Sequence, residues 1–61
     1  MFIKSKFGLF NTDNIECFSV SGGATIYFCV GSNVPKLISY SDVMDKIADA
    51  LKSGSNFLEV E

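Results

Sequence analysis

Ile15-Glu16-Cys17-Phe18-Ser19-Val20-Ser21-Gly22-Gly23-Ala24-Thr25-Ile26-Tyr27-Phe28-Cys29-Val30 is the stretch that decides the fold. Two runs of β-branched and aromatic residues flank two glycines. Glycine adopts positive φ at no steric cost, which both central residues of a two-residue hairpin turn require. A turn of that length fixes the register: Val20 faces Thr25, Ser19 faces Ile26, Phe18 faces Tyr27, Cys17 faces Phe28 and Ile15 faces Val30. Strand alternation then places Ile15, Cys17, Ser19, Ala24, Ile26, Phe28 and Val30 on one face, and Glu16, Phe18, Val20, Thr25, Tyr27 and Cys29 on the other. Both faces are apolar, with Glu16 the only charge on either. A hairpin with one wet face would alternate apolar with charged residues, so this one needs cover on two sides.

Upstream, residues 1 to 7 alternate, Met1, Ile3 and Phe7 against Phe2, Lys4 and Lys6, which predicts a strand that Gly8 ends or bulges. Asn11-Thr12-Asp13-Asn14 marks a turn, because short amide and carboxylate side chains bond their own backbone. Downstream, Gly31 to Pro35 is a loop, with Leu37 and Ile38 a short strand after it. Ser39 fits a helix N-cap with Asp42 completing a capping box, and Ile38 with Val43 the hydrophobic staple. A helix of about three turns over 42–52 follows. It has Val43, Met44, Ile47, Ala48, Ala50 and Leu51 in one apolar arc and Asp42, Asp45, Lys46, Asp49 and Lys52 opposite. Ile47 and Leu51 are its expected core residues. Gly54 suits the left-handed residue that closes a helix, and residues 56 to 61 alternate as a terminal strand. The fold class is α+β: one domain over residues 1–61, a small, mostly antiparallel sheet around the 15–30 hairpin, packed against one helix in the C-terminal half and ending in a short strand.

Composition bounds the chemistry. The 61 residues are 48% hydrophobic and 20% charged, a globular balance. Histidine and tryptophan are absent, and the five cations are all lysines, Lys4, Lys6, Lys36, Lys46 and Lys52. Imidazole catalysis is excluded. Seven carboxylates against these lysines give a net charge of −2. Nucleic-acid binding by counterion release, which needs clustered cations, is disfavoured. The start of the chain has lysines among its apolar residues and no hydrophobic run of the ~7–15 residues a secretion signal needs, so a cytoplasmic protein with no membrane contact is expected.

Few residues suggest a site. Cys17 and Cys29 form no Cys-x-x-Cys pair, no histidine completes a zinc set, and the register directs them to opposite faces, so two free thiols and no metal or cofactor are expected. Gly22-Gly23 lies between strands, where the turn explains it, rather than between a strand and a helix as a phosphate loop would. Phe18 and Tyr27 could stack single-stranded bases, but the hairpin lacks the surrounding cations. Asp42, Asp45 and Asp49 form a helix stripe rising about 4.5 Å and then about 6 Å, a spacing that can imitate nucleic-acid phosphates, although an Asp42–Lys46 pair would neutralise part of it.

Geometry therefore directs the functional expectation. One short helix covers one face of the hairpin; the first or last strand, a second copy of the chain or another protein must cover the other. The expected function is a non-catalytic protein-interaction module, a homodimer or a small inhibitor or adaptor docking on a larger partner. Its size suits proteins of phages or mobile elements, including inhibitors of host defence. The expected contact residues are Phe18, Val20, Tyr27 and Cys29, with the helix covering the opposite face. The alternative is acidic nucleic-acid mimicry through Asp42, Asp45 and Asp49; a small single-strand binder or a thiol redox protein ranks below both.

Overall fold

A computed structural model describes residues 1–61 as β1 (Phe2–Ser5), β2 (Gly8–Asn11), a 3-10 turn (Thr12–Asn14), β3 (Ile15–Ser21), β4 (Ala24–Cys29), β5 (Lys36–Ser39), α1 (Met44–Lys52) and β6 (Phe57–Glu59). The central hairpin forms as its glycines require, with φ of 59° at Gly22 and 82° at Gly23. Ser21 pairs with Ala24, Val20 with Thr25, Ser19 with Ile26, Phe18 with Tyr27 and Cys17 with Phe28. Beyond Cys17 the register slips at a bulge, and Ile15 pairs with Cys29 instead of Val30. The extra residue, Glu16, lets Ile15 join the face of Cys29 and Tyr27, so Ile15 packs against the core.

The strands form two three-stranded sheets, ordered β2-β1-β6 and β3-β4-β5. The N-terminal segment is not one strand but a second hairpin. Ser5 pairs with Gly8, the Ser5 hydroxyl accepts from the Phe7 N–H at 3.1 Å, and Lys6 and Phe7 form the turn. Phe7 therefore leaves the strand face expected for it and sets its ring edge-on to Tyr40 at 5.0 Å. β6 joins β1 in parallel, the one parallel pairing in an otherwise antiparallel fold.

The helix begins later than its capping signals imply. Ser39 belongs to β5, where its hydroxyl accepts from the Ser41 N–H at 3.1 Å. Asp42 accepts from the Met44 N–H at 3.1 Å and satisfies an end of the first turn in its place. The exit is as expected: Gly54, with φ of 73°, donates to Leu51, while Ser55 donates to Ala50 at 2.9 Å, the double bond of a Schellman closure. Ile47 and Ala50 are buried, but Leu51 is 50% exposed. A nine-residue helix lies on the core along a narrow line. Leu51 sits near the middle of the apolar arc, but the buried line runs along the arc's edge through Val43, Ile47 and Ala50 and passes it by.

Ile3 from β1, Tyr27 from β4, Ile38 from β5, Val43 and Ile47 at the helix, and Val60 after β6 make one core that both sheets and the helix share. Ten of the 61 residues are buried, so each core side chain carries a large share of the stability. No helix is long and apolar enough to cross a membrane.

Candidate functional site

The two faces of the β3-β4-β5 sheet have different surroundings. Tyr27 is buried with its ring against Phe10, centroids 5.1 Å apart, and Phe18 and Cys29 are half-buried against the same core. Val20, at the turn end, is 40% exposed. The face bearing Phe18, Tyr27 and Cys29, expected to be the contact surface, is thus the one turned toward α1 and the β2-β1-β6 sheet. Thr25 fixes that orientation. Its hydroxyl, fully buried, donates to the Ser41 C=O at 2.8 Å and accepts from the Val43 N–H at 2.9 Å, tying β4 to the helix entrance. On the outer face neither backbone group would find that partner, and each would cost about 1–3 kcal/mol if left buried and unpaired.

The outer face carries Cys17 and Ser19 from β3, Ala24, Ile26 and Phe28 from β4, and Leu37 from β5, with Cys17 opposite Phe28 and Ile26 between Ser19 and Leu37. Ile26, Phe28 and Leu37 are half-buried, and none belongs to the core. Cys17 is exposed. This face is neutral and mostly apolar. No protein-family model, curated protein or solved structure matches the chain. The functional reading therefore rests on geometry.

Asp42, Asp45 and Asp49 are all exposed. The Asp42–Lys46 pair does not form: the one ion pair within 4 Å is Lys4–Glu59, at 3.7 Å. Beside that pair lies a shallow depression lined by Lys4, Ser5, Lys6, Glu59, Val60 and Glu61, whose opposite charges offset one another. Cys17 and Cys29 are free thiols on opposite faces of the hairpin. No three acidic or thiol side chains converge as a metal site.

A second, apolar cleft of about 180 Å³ opens between β2 and the other sheet, lined by Leu9, Phe10, Asn11, Asn14, Ile15, Tyr27 and Cys29. Burial, with the Cys29 thiol as a lesser cause, raises the pKa of the Tyr27 phenol above its ordinary value. Sequence reading missed this cleft because Leu9 and Phe10 lie beyond a glycine taken as the strand's end. The available signal was the apolar pair between Gly8 and Asn11, which fits the second arm of a hairpin.

Proposed function

We propose that the chain is a non-catalytic protein-interaction module, a small inhibitor or adaptor that docks the outer face of its β3-β4-β5 sheet on a larger protein. The supporting observation is the row of exposed Cys17 and half-buried Ile26, Phe28 and Leu37, free of charge and outside the core, on a chain whose helix and second sheet pack on the opposite face. Exposed apolar sheet surface of this kind is costly to keep in water and is covered in protein complexes. The occupant in this reading is a larger protein that also engages the rim near Glu16 and Lys36, because a stable interface needs about 800 Å² per partner and the row alone is narrow. A second copy is the other outcome of the test below. Phages and mobile elements, which favour short genes, are the natural setting for such a protein.

Phe28 is the anchor, an aromatic at the centre of the row. The test compares wild type with Phe28→Asp for solution mass and for binding to proteins of the native host, each interactor then confirmed with purified components. The expected result is a folded monomer in both cases, with a confirmed interactor lost on substitution. A wild-type dimer that the substitution dissociates would replace the larger partner by a second copy. Binding that survives the substitution would reject this face.

The acidic stripe supports a second reading, nucleic-acid mimicry, because all three carboxylates are exposed and none is held in an ion pair. Replacing Asp42, Asp45 and Asp49 together by Asn separates the two. Binding through the sheet face should weaken only a few-fold, whereas mimicry should fail completely and be steeply salt-dependent before the change.

A further inference from the structure

Each of the two sheets has two edges, and three of the four edge strands carry a device that discourages another strand from pairing. β3 has the Glu16 bulge, β5 has Pro35 and Lys36 at its start, and β6 has Glu59 in its ion pair with Lys4. β2, Gly8-Leu9-Phe10-Asn11, has no charge, proline or bulge.

Its free backbone groups follow from the hydrogen bonds of β1. The Phe2 N–H donates to the Asn56 C=O at 2.9 Å and the Lys4 C=O accepts from the Val60 N–H at 2.8 Å, so Phe2 and Lys4 point their backbone toward β6. Met1, Ile3 and Ser5 point theirs toward β2, as the 2.9 Å bond from the Thr12 N–H to the Met1 C=O shows. In this alternation Gly8 and Phe10 bond to β1, and the N–H and C=O of Leu9 and the N–H of Asn11 face outward, while the Asn11 C=O accepts the first bond of the 3-10 turn that Asn11 caps. Leu9 is also the most exposed apolar residue in any strand, at 62%.

The apolar cleft lies beside this edge. Tyr27, one of its walls, is nine-tenths buried, yet its hydroxyl bonds to nothing in the chain and is not sealed from the surface. Open to the surface and bonded to no group of the chain, this phenol is free to meet a polar group of a ligand.

We propose that β2 receives an extended segment of a protein partner, paired backbone to backbone at Leu9 and Asn11. One apolar side chain of that segment fills the cleft, and a polar group beside it meets the Tyr27 hydroxyl. Unpaired, alternating donors and acceptors are complementary to another strand, and the adjoining cleft selects the side chain that strand must carry. A second copy does not fit this role. The inward side chain of its own β2, Phe10, is already seated on Tyr27, so it has nothing to place in the cleft. The inference rests on the protein-interaction reading but uses a different surface from the outer sheet face.

The probe is a displayed library of random linear nonapeptides, selected on the whole chain. Selected peptides are then synthesised and titrated into labelled protein, with amide exchange and chemical shifts followed residue by residue. Alternating β-forming sequences with one apolar anchor are expected, together with slowed exchange at Leu9 and Asn11. Leu9→Pro removes an N–H that the β1–β2 ladder does not use, and should weaken binding about ten-fold or more at unchanged thermal stability. Tyr27→Phe should weaken it about five-fold, the usual net value of one hydrogen bond. Phe28→Asp should leave it intact. Should Leu9→Pro fail to fold, the exchange data on the unmodified chain decide the matter alone. Failure to select any binder would overturn the inference, as would peptide protection appearing at Ile26, Phe28 and Leu37, although that second result would keep the protein-interaction reading. Concentration-dependent protection of Leu9 and Asn11 without peptide would assign the edge to a second copy and would overturn it too.

Discussion

The inner and outer faces of one hairpin, Phe18, Thr25, Tyr27 and Cys29 against Cys17, Ile26 and Phe28, are nearly equal in apolar content, yet one is core and the other is surface. Hydrophobicity does not separate them. The bulge at Glu16 and the Thr25 hydroxyl do: the first turns Ile15 inward, and the second has partners only where the chain enters the helix. The polar residue on an apolar face identifies the covered side, because a buried hydroxyl is tolerated only where its hydrogen bonds are met.

The strongest way to break this comparison is to truncate neighbours of opposite orientation. Tyr27→Ala removes a buried ring that contacts Phe10 and should cost about 3–5 kcal/mol. A core of this size contributes roughly that much in total, so the variant should be largely unfolded. Phe28→Ala, one residue on, should cost about 1 kcal/mol or less in the dilute monomer. Urea titration of both measures the contrast, and similar losses would mean that the outer face is covered after all.

A second pair sharpens the boundary of the core at the helix. Ile47→Ala should cost about 2–4 kcal/mol, whereas Leu51→Ala, at a half-exposed position, should cost less than about 1 kcal/mol. Equal losses would restore the wider apolar arc that periodicity alone predicts.

What could be read in advance divides along the same physical line. The central hairpin was legible because Gly22-Gly23 states its turn chemistry, and the helix exit because Gly54 does. The first hairpin was not, since neither of its turn residues, Lys6 and Phe7, is a turn former, and the positive φ falls on Gly8 after them. Alternation from Met1 to Phe7 persists through such a turn and imitates one long strand. The helix start is hard to place because Ser39 and Asp42, spaced as a capping box, instead each accept from the N–H two residues on, a turn bond that the same side chains make as readily outside a helix. The orientation of the hairpin is hard to read for a related reason: alternation places Thr25 on the Tyr27 face but does not say which side of the sheet satisfies its hydroxyl. The cleft beside β2 lay beyond reach because it exists only between two sheets.

Thr25→Val tests that last point directly. It keeps the shape of the side chain and removes the hydroxyl that serves both the Ser41 C=O and the Val43 N–H. The expected cost is about 1–3 kcal/mol, with the early helix amides, Val43 and Met44, exchanging faster. A loss confined to those amides would show that Thr25 anchors only the helix entrance. A neutral result would remove the argument that the hydroxyl chooses the inner face.

The smallest expected effect reads the inner face through its one perturbed group. Burial makes the phenolate of Tyr27 costlier in the folded chain than in the unfolded one, with the nearby Cys29 thiolate adding to the cost, so the folded pKa stands above the ordinary value of 10.0. The neutral phenol is therefore the form that supports folding. Its contribution is complete below pH 10 and is lost as the pH rises through the unfolded value toward the raised folded one. Every other group is common to wild type and Tyr27→Phe, so the comparison isolates the Tyr27 hydroxyl. Urea midpoints followed from about pH 8 to pH 11 should fall more steeply for wild type than for Tyr27→Phe, the difference opening only near the tyrosine range. Phenylalanine keeps the ring on Phe10 and removes the ionisation, so parallel curves would mean that the Tyr27 hydroxyl is solvated. In that case the wall of the cleft would be wetter than its burial implies.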